Sequence, residues 1–238
     1  MSVPVLEIAN VSKPYGGLRP LRVQALTVVE GEHVAIMGFD QPMAEVFVNL
    51  VTGAGLPEHG EVRVFGRSTS AIADSAEWLT LVDRFGIVSE RAVMLESLTA
   101  LQNLALPFTL EIEPPPEEAA SRAATLAREA GLSDAECGRP LATLDALARA
   151  RVRLARAVAL DPAVLLLEHP TATVDRQHAS ALGQHYRAVA AGRGTAIVAL
   201  TADQAFAEAV AARVMKFDPA TGRLTESAGS RWLGRWLG

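Results

Sequence analysis

Short apolar runs bounded by turn residues alternate along this chain with longer stretches of helical periodicity. An almost continuously apolar run predicts a parallel strand that is buried on both faces, and such runs occur at 33–37, 164–167 and 195–200. Other runs alternate, or nearly so, between apolar and polar positions, at 6–9, 26–29, 61–65 and 213–217. Alternation is typical of antiparallel strands with one solvated face. The pattern predicts an α/β fold with a mainly parallel core sheet and an antiparallel N-terminal sheet.

The middle of the chain, at about 88–145, has a different pattern. Three prolines at 114–116 form a stiff connector, because proline fixes φ and cannot continue a helix. A helical pattern follows at 119–130 and stops at Gly131, a favourable residue just after a helix. We therefore expect a small helical insertion within one domain that spans residues 1–228.

The composition narrows the class of protein. Of 238 residues, 50% are hydrophobic and 21% are charged, as in a globular protein. The net charge of −5 lacks the basic excess that drives phosphate-backbone binding, so nucleic acid is not an expected partner. A single cysteine, Cys137, fits a reducing cytoplasm, and no apolar run reaches the ~20 residues of a membrane helix.

Several segments follow one another in the order of a known family. They are 11–17, 31–38, 50–53, 60–66, 98–107, 151–157 and 170–175. With these segments the chain resembles ABC-transporter ATPase subunits from Leu6 to Leu224. The resemblance implies a P-loop NTPase-like fold and a cytoplasmic subunit at the inner face of the cell membrane. It also implies ATP and magnesium as cofactors, a homodimer or heterodimer with another cassette, and a membrane-embedded transporter subunit that contacts the helical insertion.

The phosphate loop of that family is altered here. Such a loop needs glycines whose N–H groups converge on the phosphates, a lysine, and a hydroxyl group for magnesium. The family pattern falls without a gap on residues 38–45, where Gly38 is the only family glycine that remains. Ala44 stands at the lysine position, Glu45 stands at the hydroxyl position, and Pro42 removes an N–H donor. The sequence predicts a loop that repels phosphate.

The other positions that act on ATP in the family are also largely substituted. Glu168 stands where the resemblance places the magnesium-associated aspartate, and His169 where it places the catalytic glutamate. Ala202 stands at the switch histidine. The remaining family positions are Tyr15 for the adenine-stacking aromatic, Glu90 for the glutamine that senses magnesium, Asp145 for the serine of the signature loop, and Asp175. Only Tyr15 and Asp175 keep the family's residue type.

We therefore predict a degenerate pseudo-ATPase with a structural or regulatory role in a membrane transport complex, with no bound cofactor. A divergent but active ATPase that uses Glu168 and His169 with ATP and magnesium is the alternative. A soluble scaffold without a transporter is a third hypothesis. Because the phosphate loop and the signature loop are both altered, an ordinary cassette paired with this chain would lack groups in both shared sites.

Two further features leave alternatives open. Arginines repeat along one predicted helix at positions 149, 151, 153 and 156. They form either a partly solvated helix face with ion pairs or an anion-binding surface. The C-terminal segment 229–238 carries two Trp-Leu pairs with arginines. It either contacts a membrane or partner surface or folds back onto its own domain.

Overall fold

The computed structural model describes residues 3–17 and 19–227, so the predicted Trp/Arg segment at 229–238 lies outside the described residues. The strands in the described part are β1 (Pro4–Lys13), β2 (Leu21–Val29), β3 (His33–Met37), β4 (His59–Val64), β5 (Arg67–Ser68), β6 (Phe85–Val88), β7 (Val164–Glu168), β8 (Ala196–Thr201), β9 (Arg213–Asp218) and β10 (Arg223–Glu226). The helices are α1 (Gln41–Val51), α2 (Ser75–Val82), α3 (Ala100–Ala105), α4 (Glu117–Glu129), α5 (Asp134–Cys137), α6 (Ala146–Ala157), α7 (Arg176–Arg193) and α8 (Gln204–Val210).

The strands form two sheets. An antiparallel sheet has the order β2-β1-β4-β5, and a six-stranded sheet has the order β10-β9-β3-β8-β7-β6. In the larger sheet β9, β3, β8, β7 and β6 run parallel, and β10 is antiparallel to β9. This confirms the predicted α/β fold with a mainly parallel core sheet and an antiparallel N-terminal sheet.

Strand β9 has one antiparallel and one parallel neighbour. Its alternating pattern is typical of an antiparallel strand with one solvated face, and β9 does lie antiparallel to β10, but it is also parallel to β3, with Ile36 paired to Met215. The alternation arises because Lys216 and Asp218 are exposed while Phe217 between them is buried. A half-solvated position in the sheet, rather than strand direction, produces the pattern.

The central strands are buried on both faces, as their apolar runs predict. Leu165 of β7 and Ile197 of β8 belong to a core shared with the helices. Leu166 and Val198 face the opposite core, formed with α1 and the antiparallel sheet. Side chains of one strand thus alternate between two hydrophobic cores.

The helical segment between β6 and α6 contains α3, α4 and α5. Helix α4 begins at Glu117, after the prolines, and Gly131 follows its end with a positive φ of 75°. Arg193, at the end of α7, pairs with Glu129 of α4 at 2.5 Å. No helix in the described part of the chain is both long and apolar enough to cross a membrane.

Candidate functional site

Helix α1 starts at Gln41, because Asp40 caps it. The Met43 N–H donates to Asp40 Oδ1 at 2.8 Å, and the Ala44 N–H donates to the Asp40 carbonyl at 2.9 Å. Pro42, inside the first turn, has no N–H. Backbone donors at a helix N-terminus are a ready site for an anion, and here a carboxylate of the chain itself receives one of them.

Gly38 has a structural reason to be glycine. Its φ is +103°, and a Cβ atom at this position would lie 2.9 Å from the carbonyl oxygen of Phe217. Only glycine adopts this conformation at low cost while the backbone of β9 lies so close. The remaining glycine of the altered loop is therefore explained by packing alone.

The carboxylate of Glu168, at the end of β7, is fully enclosed by protein groups. The side chain of Glu168 has no exposed surface. Arg91 donates to it twice, from Nε to Oε1 at 3.1 Å and from Nη2 to Oε2 at 2.7 Å. Gln41 Nε2 also donates to Oε1. Arg91 reaches Glu45 as well, with 3.1 Å between Nη1 and Oε1.

Arg91 is the residue of this site that the sequence interpretation missed. The hydrogen bond with Glu168 is the main cause that raises the pKa of the Arg91 guanidinium above its ordinary value. One guanidinium thus neutralises a buried carboxylate and touches a second one. The signal in the sequence was weak, since Arg91 only follows Glu90 in a loop.

Glu90 joins three separate parts of the fold. Its Oε2 lies 2.6 Å from Nη2 of Arg153 on α6, and its Oε1 accepts from the Thr173 hydroxyl at 3.1 Å. The Arg153 side chain is only 10% exposed. Of the two hypotheses for the arginines of α6, these contacts agree with a helix face that forms ion pairs.

Asp145 repeats the arrangement of Asp40 at a second helix. It caps α6, and its Oδ1 accepts from the Ala148 N–H at 2.8 Å. Asp203 caps α8 in the same way, accepting from Phe206 at 3.0 Å. With Asp74, which accepts from the Glu77 N–H at the start of α2, four helix N-termini in the described part of the chain carry an aspartate at the position where an external anion would otherwise be stabilised.

His169 and Ala202 line one cleft of about 730 Å³. Gln41 and Arg176 also line it. His169 has a left-handed backbone, with φ of 45°, and its Nε2 is buried with no hydrogen-bond partner in the described part of the chain. Such conformations are uncommon outside glycine and are enriched at functional sites. Asp175 precedes α7, is exposed, and makes no side-chain capping bond.

Tyr15 lies in another cleft, of about 540 Å³, between the antiparallel sheet and the start of α1. Asp40, Met43 and Phe217 also line this cleft. The Tyr15 ring lies over the backbone of Gly17, where an added Cβ would come within 2.6 Å of the ring. The predicted adenine platform and the altered phosphate loop are thus brought to one cleft.

The order of strand, loop and helix around this site matches known proteins. The family described as "ABC transporter" matches residues 21–172, which is more than half of the chain. The chain belongs to the ABC transporter family.

Curated relatives of this ABC-family chain are ATP-binding proteins. The lipoprotein-releasing system ATP-binding protein LolD of Saccharophagus degradans is 29% identical over 207 residues, 85% of this chain and 90% of LolD. LolD of Alcanivorax borkumensis is 30% identical, over 87% of this chain and 91% of that protein. The methionine import ATP-binding protein MetN of Brucella abortus is 29% identical over 91% of this chain, which spans only 58% of MetN.

Solved structures agree on the fold. A dimeric ATP-binding cassette bound to ADP and Pi superposes with a TM-score of 0.73 at 24% identity, covering 93% of this chain and 97% of that one. A nucleotide-free ATP-binding cassette from an ABC transporter superposes with a TM-score of 0.75 at 18% identity, covering 94% and 91%. At these identities the likeness establishes the ABC cassette fold.

The residues at the ABC family's nucleotide positions fit ATP and magnesium poorly in this structure. Magnesium prefers a few carboxylate oxygens together with water and phosphate oxygens, but the oxygens of Glu168 are taken by Arg91 and Gln41. Residues 38–45 include no lysine, arginine, serine or threonine. Ala44 is fully buried, so its side chain does not reach the cleft.

Proposed function

We propose that this ABC-family chain is the cassette subunit of a membrane transport complex and acts there as a pseudo-ATPase, in a structural or regulatory role. One observation carries the proposal. Asp40 places its own carboxylate on the first turn of α1, in the segment where the family pattern calls for phosphate. Bringing a triphosphate to the same turn adds like-charge repulsion to the loss of the lysine.

The size of the loss supports absence of hydrolysis. Removing one preorganised group that stabilises charge in a transition state costs about 2.7–4 kcal/mol. Several such groups are replaced together here, at Ala44, Glu45, His169 and Ala202. Such losses are not additive, but even part of their sum makes turnover negligible.

The relatives suggest where such a subunit acts. Their names describe a lipoprotein-releasing system and methionine import. By analogy we place this chain at the cytoplasmic face of a membrane, where its helical insertion contacts a membrane-embedded subunit. A second cassette completes the complex, either another copy of this chain or a different ABC subunit. Because the loops that contain Gly38 and Asp145 are both altered, each of the two nucleotide sites shared with this partner lacks some of the family's groups.

Equilibrium binding of Mg-ATP to the purified chain, measured by calorimetry, tests the proposal. We expect no detectable binding up to about 1 mM nucleotide. A micromolar affinity for Mg-ATP would contradict the pseudo-ATPase assignment. Co-purification with a polytopic membrane protein, when the chain is expressed in its own cell, tests the transport complex. Recovery of the chain without such a protein would support the soluble scaffold instead.

One observation favours the divergent ATPase as the second candidate. His169 Nε2 is buried, has no partner among the described residues, and its side chain borders the 730 Å³ cleft. A general base needs a nitrogen that is not already bonded to another group. In that case His169→Ala abolishes ATP hydrolysis, and Mg-ATP promotes dimerisation of the chain. Absence of ATP hydrolysis by the wild-type chain would remove this candidate, and hydrolysis that survives His169→Ala would remove His169 as its base.

A further inference from the structure

The loop at residues 89–96, which connects β6 to the helical insertion, is held on two sides by charged side chains. We propose that Arg91 acts as a tethered cation that fastens this loop to the core, so that the position of the 89–96 loop does not depend on a nucleotide or a metal ion. The cassette core and its helical insertion then keep one relative position whether or not a ligand is present.

On the core side, the loop is fastened by Arg91. Its guanidinium donates twice to the buried carboxylate of Glu168 and lies 3.1 Å from Glu45 on α1. Paired N–H···O contacts of this kind fix both distance and orientation. The end of β7, the start of α1 and the 89–96 loop therefore meet at the Arg91 guanidinium, a cation that belongs to the chain itself.

The charge balance explains why a cation is needed there. Glu168 is 1% exposed, and a carboxylate so enclosed requires a counter-charge or a proton. Glu45 adds a second carboxylate on the other side of the guanidinium. Two carboxylates around one site are an arrangement that suits a divalent cation. Arg91 supplies positive charge to them without any ion from solution.

The other side of the loop is fastened to α6. Arg153 pairs with Glu90 at 2.6 Å, and Arg149 Nη1 lies 2.8 Å from Oε2 of Glu96. Positions 149, 153 and 156 share one helix face. Arg156 Nη1 donates to the Val93 carbonyl at 2.7 Å, so the three arginines together contact the loop near its start, middle and end.

The loop backbone is also held by hydrogen bonds. The Arg91 N–H donates to the Ser89 hydroxyl at 3.1 Å, and the Ala92 N–H donates to the Ser89 carbonyl at 3.2 Å. The fully buried side chain of Asn103 accepts from the Leu95 N–H at 3.0 Å and donates to the Leu95 carbonyl at 2.9 Å. These amide groups make the mobility of the loop measurable by hydrogen exchange.

Hydrogen–deuterium exchange of the full-length wild-type chain is the first test. We expect peptides that cover 89–96 to be protected without ligand, and their exchange to stay unchanged with magnesium alone or with Mg-ATP. Exchange of these peptides at the rate of an unstructured chain would overturn the proposal. So would added protection of the loop on addition of magnesium or Mg-ATP.

Variants of the ion pair are the second test. Arg91→Ala should accelerate exchange of the 89–96 peptides by roughly tenfold or more, while Arg63→Ala, which removes an exposed arginine paired with Glu61, should leave them unchanged. Since Arg91→Ala leaves Glu168 buried without a counter-charge, the double variant Arg91→Leu with Glu168→Gln is needed alongside. It removes both charges, and it should fold and still release the loop. A folded double variant with wild-type loop exchange would overturn the proposal.

Loop exchange and nucleotide affinity are separate measurements, so the two proposals fail separately. Micromolar Mg-ATP binding with unchanged exchange at 89–96 would sink the pseudo-ATPase assignment and leave the tethered cation standing. Rapid exchange of the 89–96 peptides in a chain that binds no nucleotide would overturn the tethered cation and leave the pseudo-ATPase assignment standing.

Discussion

Arg91 and Glu168 form a two-point ion pair, with 3.1 Å between Nε and Oε1 and 2.7 Å between Nη2 and Oε2. The carboxylate has no exposed surface, whereas the arginine side chain is 41% exposed. In this ABC-family chain, an arginine of the chain therefore lies at the carboxylate that the resemblance associates with magnesium.

Replacing this arginine should destabilise the protein. Loss of one partner from a buried pair leaves an uncompensated charge, and the exposure of Arg91 moderates the cost. We expect Arg91→Ala to lower the free energy of unfolding by about 2 kcal/mol and the melting temperature by roughly 5 °C. Thermal and urea unfolding measure both, with Arg63→Ala, expected within about 0.5 kcal/mol of wild type, as the control.

The lysine variant distinguishes charge from geometry at the same position. Arg91→Lys keeps the positive charge but cannot form the paired contacts of a guanidinium. Its stability should lie between those of wild type and Arg91→Ala. Equal stability of the alanine variant and wild type would show that Glu168 is satisfied without Arg91.

The aspartate caps of α1 and α6 should each contribute to stability. Asp40→Ala and Asp145→Ala remove the acceptors for the N–H groups of Met43 and Ala148. Each substitution should cost about 1 kcal/mol of unfolding free energy. Asn at either position, which also caps well, should recover most of the loss in the same urea titration. An Asn variant as unstable as the Ala variant would mean that charge, and not the hydrogen bond, is what matters.

Restoring the lysine and the hydroxyl group should not restore nucleotide binding. In the Ala44→Lys plus Glu45→Ser variant, Asp40 still caps α1 and Pro42 still lies in its first turn. Arg91 is also still hydrogen-bonded to the Glu168 carboxylate. Calorimetry should again detect no Mg-ATP binding up to about 1 mM. Micromolar affinity with these two changes alone would show that the capped helix start does not exclude phosphate.

One buried and one half-buried histidine should make the protein less stable in mild acid. Burial lowers the pKa of His33, against the opposing effect of its hydrogen bond to the Thr195 carbonyl. Burial also lowers the pKa of His185, with a further contribution from Arg151. Since the unfolded histidines bind protons near pH 6.5, the unfolded state takes up more protons below that pH. The free energy of unfolding should therefore fall as the pH drops from about 7 towards 5.

Single substitutions assign this pH dependence. His33→Gln keeps a donor for the Thr195 carbonyl and removes the titrating ring, so urea titrations at about pH 7.5 and 5.5 should differ less for it than for wild type. His185→Gln should reduce the difference in the same way. An unchanged pH difference in both variants would contradict the assignment.

Sequence alone determined the fold class, because the patterns that carry it are local. Continuous apolar runs identified β7 and β8 as strands buried on two faces, and the structure places their side chains in two cores. Alternation was less informative, because it reports burial and not strand direction: β9 alternates, yet it is antiparallel to β10 and parallel to β3. The altered phosphate loop was also visible in the sequence, since its positions are contiguous from 38 to 45.

Tertiary structure alone decided what surrounds Glu168. Arg91 is 77 positions away along the chain, and nothing in the local pattern connects the two residues. They meet because β6 and β7 are parallel neighbours with Val88 paired to Leu167, so the residues that follow each strand emerge at the same edge of the sheet. A local pattern determines which segments become strands, but strand order determines which charges face one another, and strand order depends on the packing of the whole core.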